Sequence, residues 1–287
     1  MQLSIQMGWW SRENIELEYL CVQTHSMHYN SKKFHDIIYV DISNGTNKHG
    51  MGLIIFSGIN HEKQNVLLGY AMVLEDEYRW YYNVFGTFFK MFLFGKTPQT
   101  VITDINFEMS KALTDVLSPE TKHIFCQWHV KRYLKTRFLQ LNNFENESWS
   151  HMIYDAIMSC IFLDEVEEFL EYQNFIFCQS SDNVLTQNDN EFLKSLFLIK
   201  EKWAKAYMSP KLFLASDSHN IVRAESLNQM IQTRLFRDST LTSVFKMICD
   251  IEEQNNERYS YENWRETIRD NNIIHPISRY VKRHYSQ

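Results

Sequence analysis

His35-Asp36-Ile37-Ile38-Tyr39-Val40-Asp41 and Thr100-Val101-Ile102-Thr103-Asp104 decide how this chain is read, because each is a short β-branched run that ends in an acid. Runs of this kind are the pattern of buried strands. Between them, Met51-Gly52-Leu53-Ile54-Ile55-Phe56 and Val66-Leu67-Leu68-Gly69-Tyr70-Ala71-Met72-Val73 predict two more strands, and the polar stretch from Asn60 to Asn65 predicts the hairpin loop that joins them. From Asp76 the period changes to helical, with Trp80, Val84, Phe88 and Met91 on one stripe until Gly95 stops it. That stripe reads as core packing. After Asp104 a second helix places Met109, Ala112, Leu113 and Val116 on one face, and strand signal returns over His123-Ile124-Phe125-Cys126-Gln127-Trp128.

The order is three strands, helix, strand, helix, strand. The first three can form an antiparallel meander, while the later two need helical crossovers and so join parallel to the first. The expected fold is α/β: an RNase H-like mixed five-stranded sheet flanked by helices. From about 129 to 208 the periodicity is helical throughout, with faces marked by Met152, Ala156 and Ile157, by Val166, Phe169 and Leu170, and by Phe192, Leu196 and Ile199. Pro210 breaks the run, and two last helices are expected at roughly 223–236 and 240–258. The resulting division is an irregular lead-in over 1–33, the first part of the core over 34–138, an all-helical insertion over 139–210, completion of the core over 211–259 by a helix carrying Glu225, and a tail over 260–287.

Composition agrees with a packed domain. Of 287 residues 44% are hydrophobic and 15% aromatic, and the scarcity of Gly (8) and Pro (4) favours helices with few interruptions. No stretch approaches the roughly 20 apolar residues of a membrane span, and the opening residues lack the pattern of a secretory leader. Five cysteines at wide spacing give neither a disulfide framework nor a four-ligand zinc signature, which fits a reducing compartment. The net charge of −6 argues against a protein that coats nucleic acid. Against that, Lys122, His123, His129, Lys131, Arg132, Lys135 and Arg137 cluster in one segment, and Arg279, Lys282, Arg283 and His284 in another.

An acid at a strand end is, taken alone, most often a turn former or a helix N-cap, and Asp104 directly precedes a helix. In the deduced order, however, the strands of Asp41 and Asp104 are neighbours. Two carboxylates at the carboxyl edge of a sheet can share metal ions, and phosphodiester displacement uses a pair of ions on the attacking and leaving oxygens.

Thr46-Asn47-Lys48-His49-Gly50-Met51, Phe56-Ser57-Gly58-Ile59-Asn60-His61 and Val66-Leu67-Leu68-Gly69 together resemble the Mutator-like element (MULE) transposase domain, in particular its far-red-impaired-response branch. Val101-Ile102-Thr103-Asp104 with Met109 and Ala112, and Cys126-Gln127-Trp128-His129, carry the same resemblance, which covers residues 17 to 138 and resumes at Arg223-Ala224-Glu225-Ser226-Leu227-Asn228. The resemblance implies a DDE transposase core whose last catalytic helix follows an all-helical insertion. It implies Asp41, Asp104 and Glu225 as the catalytic ligands of Mg²⁺ or Mn²⁺, two ions in number in that family's chemistry, and DNA as the substrate, both as element ends and as target. In the family's reaction water attacks the phosphate at the element end, and the exposed 3′-hydroxyl then attacks target DNA.

Cys126 and His129 match the family's Cys-x-x-His signature. Two ligands without a partner pair make a poor zinc site, so His129 is expected near the scissile phosphate or flanking DNA, and Cys126 as a buried strand residue. Lys48, Lys131, Arg132 and Arg223 are the expected DNA contacts. Homo-oligomerisation and a nuclear location follow from transposition chemistry, and no membrane partner is expected. The chain departs from the family at Ile42-Ser43-Asn44-Gly45 and at Ile105-Asn106-Phe107-Glu108, which replace polar and basic neighbours of the two acids. These departures admit a second expectation, a domesticated module that binds DNA or regulates transcription without catalysis.

Overall fold

Strands β3 (Ile37–Ser43), β4 (Gly52–Ile59) and β5 (Asn65–Val73) form the expected antiparallel meander. Strands β6 (Thr100–Thr103) and β7 (Lys122–Phe125) then extend it in parallel on the far side of β3. This is a computed structural model, and it describes residues 3–9, 17–61, 64–140, 147–180, 187–210, 231 and 233–270. Two further strands, β1 (Leu3–Trp9) and β2 (Leu17–Thr24), lie in the segment expected to be irregular. β2 pairs antiparallel with β5 and β1 with β2, so the sheet has seven strands among the described residues, in the order β1-β2-β5-β4-β3-β6-β7. The five expected strands are its centre and one edge. The lead-in escaped the pattern reading because Leu17-Glu18-Tyr19-Leu20 mixes charge with apolar residues, and its strand is stabilised by pairing with β5 and β1.

β4 is buried along nearly its whole length, as a strand covered on both faces must be. One face packs under α2 (Tyr78–Thr87) and α3 (Phe107–Val116), where Ile38, Val40, Ile54, Phe56, Leu68 and Val101 meet Val84, Phe85, Phe88, Met109 and Leu113. Phe56 stacks on Phe88 with ring centroids 3.7 Å apart. After Thr87 the helix widens into one π-helical stretch, Phe88–Phe92. The extra residue per turn moves Phe89 and Phe92 into the core and turns Met91 outward, 47% exposed. The predicted stripe therefore holds through Phe88 and fails at Met91.

Helix α1 (His25–Lys33) is capped by Thr24 and packs over β5 through Asn30 and Ser31, which bond the carbonyls of Leu67 and Leu68 at 3.2 and 3.1 Å. Its exit runs against β4, where a Cβ on Gly58 would lie 2.3 Å from the Phe34 carbonyl oxygen. Only glycine permits that approach.

The segment expected to be helical contains α4 (Gln127–Lys135), a π-helical stretch Thr136–Gln140, α5 (Glu147–Phe162), α6 (Val166–Ser180) and α7 (Gln187–Leu198), followed by short 3₁₀ turns at Lys200–Lys202 and Lys205–Tyr207. Ile153, Ile157, Ile161, Phe169, Leu193, Leu196 and Trp203 form their common core, to which β7 contributes Phe125. The chain divides into two compact units, Met1–Ser239 and Thr240–Gln287. The second contains α8 (Leu241–Asp270), which runs beyond the expected 240–258 and buries Val244, Ile248 and Ile251. No helix among the described residues is long and apolar enough to cross a membrane.

The close approach at Gly58 predicts that Gly58→Ala destabilises the protein by about 1–3 kcal/mol, the usual cost of overpacking. Gly86→Ala, in α2 with nothing within 4 Å of the added carbon, should instead stabilise by up to about 1 kcal/mol through helix propensity. Urea unfolding of both variants checks the pair; a neutral Gly58→Ala would show that the contact relaxes freely.

Candidate active site

Parallel pairing of β3 with β6 sets Ile38 beside Val101, Tyr39 beside Ile102 and Val40 beside Thr103. The next pair in that register is Asp41 and Asp104. β6 and β7 pair in the same sense, Thr103 beside Phe125, so the level of Asp104 is also that of Cys126, whose backbone N bonds the Thr103 carbonyl at 2.8 Å. Alternation puts Tyr39 and Ile102 on the face away from α2 and α3, where they cluster with Ile124 and Cys126. Asp41 continues that alternation on β3.

The strand expected over His123–Trp128 stops at Phe125, and Cys126 is the N-cap of α4, its Sγ accepting from the His129 backbone N at 3.5 Å. Cys126 is thus buried, as expected, but caps a helix and is not a strand residue. Starting the helix at Gln127 brings His129 to the site within its first turn. His129 Nδ1 pairs with Asp104 Oδ1. Asp41, Asp104 and His129 each present one ligand atom, and these atoms all lie within 4.8 Å of one another. The Trp128 ring stands edge-on to the His129 ring at 4.8 Å.

Capping by Asp104 is excluded by the neighbouring residue. Asn106 is the N-cap of α3, its Oδ1 accepting from Met109 N at 2.8 Å, while its Nδ2 donates to Asp76 Oδ1 at 2.8 Å. Asp76 also accepts from the Tyr81 hydroxyl at 2.6 Å, tying the loop after β6 to α2. The departures from the family motif serve packing: Ile42 rests against the core beneath α2 and α3, and Ile105 against the core of the helical segment.

The donor set suits a hard divalent cation. Mg²⁺ and Mn²⁺ take carboxylate oxygen, with Mg–O bonds of about 2.1 Å, so ligands round one ion lie within about 4.2 Å of one another. Asp41 and Asp104 each offer a carboxylate oxygen within 4.8 Å of the other, close to that limit, while His129 pairs with Asp104. Glu225 and Arg223, the remaining expected site residues in the second half of the chain, lie outside the described residues.

The expected DNA contacts separate. Lys48 is exposed on the β3–β4 loop, at the site's edge of the sheet, in a turn organised by Asn47, whose side chain accepts from His49 N at 3.1 Å and Met51 N at 3.2 Å. On α4 Arg132 lies over Trp128 (5.0 Å) and Lys131 over Phe162 (4.5 Å). Other members of the basic run turn inward: Arg137 pairs with buried Asp189 at 3.1 Å, and His123 packs beside Lys202. The segment is therefore not one continuous cationic face.

A β5-β4-β3-β6-β7 sheet with one acid on β3 and another directly after the adjacent parallel β6 is the arrangement of an RNase H-like domain. Residues 37–133 match the family model of the MULE transposase domain, and the relatives found for the chain support the far-red-impaired-response-like branch. The chain is 26% identical over 211 residues to Protein FAR1-RELATED SEQUENCE 4 of Arabidopsis thaliana, an alignment covering 73% of this chain and 27% of that one. It is 28% identical over 179 residues to Protein FAR1-RELATED SEQUENCE 2 (61% and 20%), and 25% over 209 residues to Protein FAR-RED IMPAIRED RESPONSE 1 (72% and 24%), both from the same plant. The chain thus spans about a quarter of the length of these relatives.

Burial alone would lower the pKa of His129, but hydrogen bonding and charge from Asp104, aided by Cys126, outweigh it and push the value up to about 11. In the metal-free protein His129 should therefore remain an imidazolium from pH 6 to 9. The sign follows from linkage: the pair's contribution to stability is fully present below the ordinary histidine value of about 6.5 and is lost as pH rises through the folded value. Imidazole chemical shifts in an NMR titration read this directly, with Asp104→Asn bringing the pKa below 6.5. A wild-type ring titrating near 6.5 would refute the pairing.

Proposed function

We propose that this domain is the catalytic core of a Mutator-like DDE transposase, cleaving DNA and joining its 3′-hydroxyl to target DNA by in-line phosphodiester displacement. The observation that carries the reading is the gathering of Asp41, Asp104 and His129 within 4.8 Å at the carboxyl edge of β3 and β6. Asp41 and Asp104, 63 positions apart in sequence, meet through the β3–β6 register, and Asp104 is not engaged as the helix cap because Asn106 fills that role.

Asp41 and Asp104 would hold Mg²⁺ or Mn²⁺, with Glu225 as the third carboxylate and two ions as the working number. When bound, such ions stabilise the attacking and leaving oxygens as Lewis acids. Asp104 is kept in place by its strand register and by the bonded loop behind it. The His129 imidazolium, held by Asp104, supplies a positive group at the same edge for a phosphate oxygen. Lys48 and Arg132, both exposed, are the described cations proposed to meet DNA there. Element ends and target DNA are the proposed substrates, with homo-oligomerisation and a nuclear location following from a reaction that joins two ends.

A second reading is a DNA-binding or transcription-regulating module derived from the same core. It is favoured by Ile42 and Ile105, which give positions beside both acids to hydrophobic packing. Nicking and strand transfer on labelled DNA with Mg²⁺ or Mn²⁺ separate the two. The wild type should cleave, and Asp104→Asn and Glu225→Gln should each lose more than about 100-fold, beyond the 10–100-fold typical of residues that merely orient a ligand. Equal background in all three proteins leaves the regulatory module.

A further inference from the structure

Thr103, the residue before Asp104, turns its side chain to the face of β6 opposite Ile102 and is 1% exposed. Its hydroxyl donates to the Asp104 carbonyl oxygen at 2.9 Å. On the other side, Thr103 Oγ1 lies 3.0 Å from His123 Nε2, and His123 Nδ1 lies 3.0 Å from Lys202 Nζ. An ammonium can only donate, so Lys202 fixes Nδ1 as the acceptor and leaves the ring proton on Nε2, aimed at Thr103. The bonds then run in one direction, from Lys202 through His123 and Thr103 to the main chain of Asp104. The same carbonyl accepts from Asn106 N at 3.0 Å.

Lys202 belongs to the 3₁₀ turn after α7, at the end of the helical segment. It also donates to Ser110 Oγ of α3 at 2.8 Å and lies 5.8 Å from the centre of the Phe125 ring. Burial lowers its pKa, and burial with the Lys202 charge holds His123 well below the ordinary histidine range, so the imidazole is the neutral link that this chain of bonds requires. A long cationic side chain drawn inward over three elements loses rotamer freedom and hydration, which a solvated lysine keeps.

We infer that Lys202 is a positioning residue for Asp104, acting through His123 and Thr103, so that the helical segment's packing against β7 and α3 sets the orientation of a metal-binding carboxylate. This rests on the reading of Asp41 and Asp104 as metal ligands. Groups that orient ligands typically change metal affinity or activity 10–100-fold when removed. A purely structural lysine would lower the melting temperature and leave the folded protein's metal affinity unchanged.

The test is Mn²⁺ binding to the full chain by calorimetry, with thermal unfolding measured alongside. Lys202→Met keeps the apolar stem and removes the donors, Thr103→Val removes only the hydroxyl, and Lys202→Arg restores a donor. The first two should weaken Mn²⁺ binding about 10-fold or more, with Lys202→Arg recovering part of the loss, and DNA nicking should fall in kcat with KM for DNA unchanged. Wild-type Mn²⁺ affinity in both Lys202→Met and Thr103→Val overturns the inference alone. If Lys202→Met does not fold, Thr103→Val decides by the same criterion. Failure of the wild type to bind Mn²⁺, with Asp104→Asn no different, overturns the metal reading and this inference with it.

Discussion

Everything at the candidate site depends on the register of two parallel strands. Because Val40 lies beside Thr103, the next residues, Asp41 and Asp104, meet at one level of the sheet. A slip of one residue would turn one of the acids to the opposite face. The register is held by burial, since Ile38, Val40 and Val101 must all enter the core beneath α2 and α3. It is also held at its start, where the Asp36 carbonyl accepts from both Gln99 N and Thr100 N at 2.9 and 3.0 Å.

Rigid strands alone would still leave Asp104 on a free loop, because β6 ends at Thr103. Side chains from distant segments remove that freedom. Asn106 and Asp76 bind the loop to α2, while Thr103, His123 and Lys202 bind it to β7 and to the turn after α7. Each such bond contributes only about 1 kcal/mol net, but several acting on one short loop favour a single geometry of the carboxylate. The helical segment is in this sense joined to the site mechanically as well as along the chain.

Charge is distributed with the same economy. The chain carries a net charge of −6, and its basic residues are not gathered into one broad cationic surface. The basic run around α4 is divided between inward ties, such as Arg137 to Asp189, and outward groups such as Arg132. The imidazolium of His129 lies directly against Asp104, so one face of that carboxylate already has a cationic partner.

The sequence by itself determined the five central strands, their order, the helical character of the segment after Trp128, and the convergence of Asp41 with Asp104. These depend on period and on strand-end acids, which local composition records. It left open whether Asp104 caps a helix, and it misplaced the end of the strand before α4, carried the aromatic stripe on to Met91 and read β1 and β2 as an irregular lead-in. Those were decided by pairing, by a π-helical residue insertion and by capping competition between Asn106 and Asp104, none of which leaves a periodic trace. Only the tertiary structure brought Lys202 to His123, 79 positions away, and so behind Asp104. A hydrogen bond between residues that far apart is fixed by the packing of whole elements, not by the sequence local to either one.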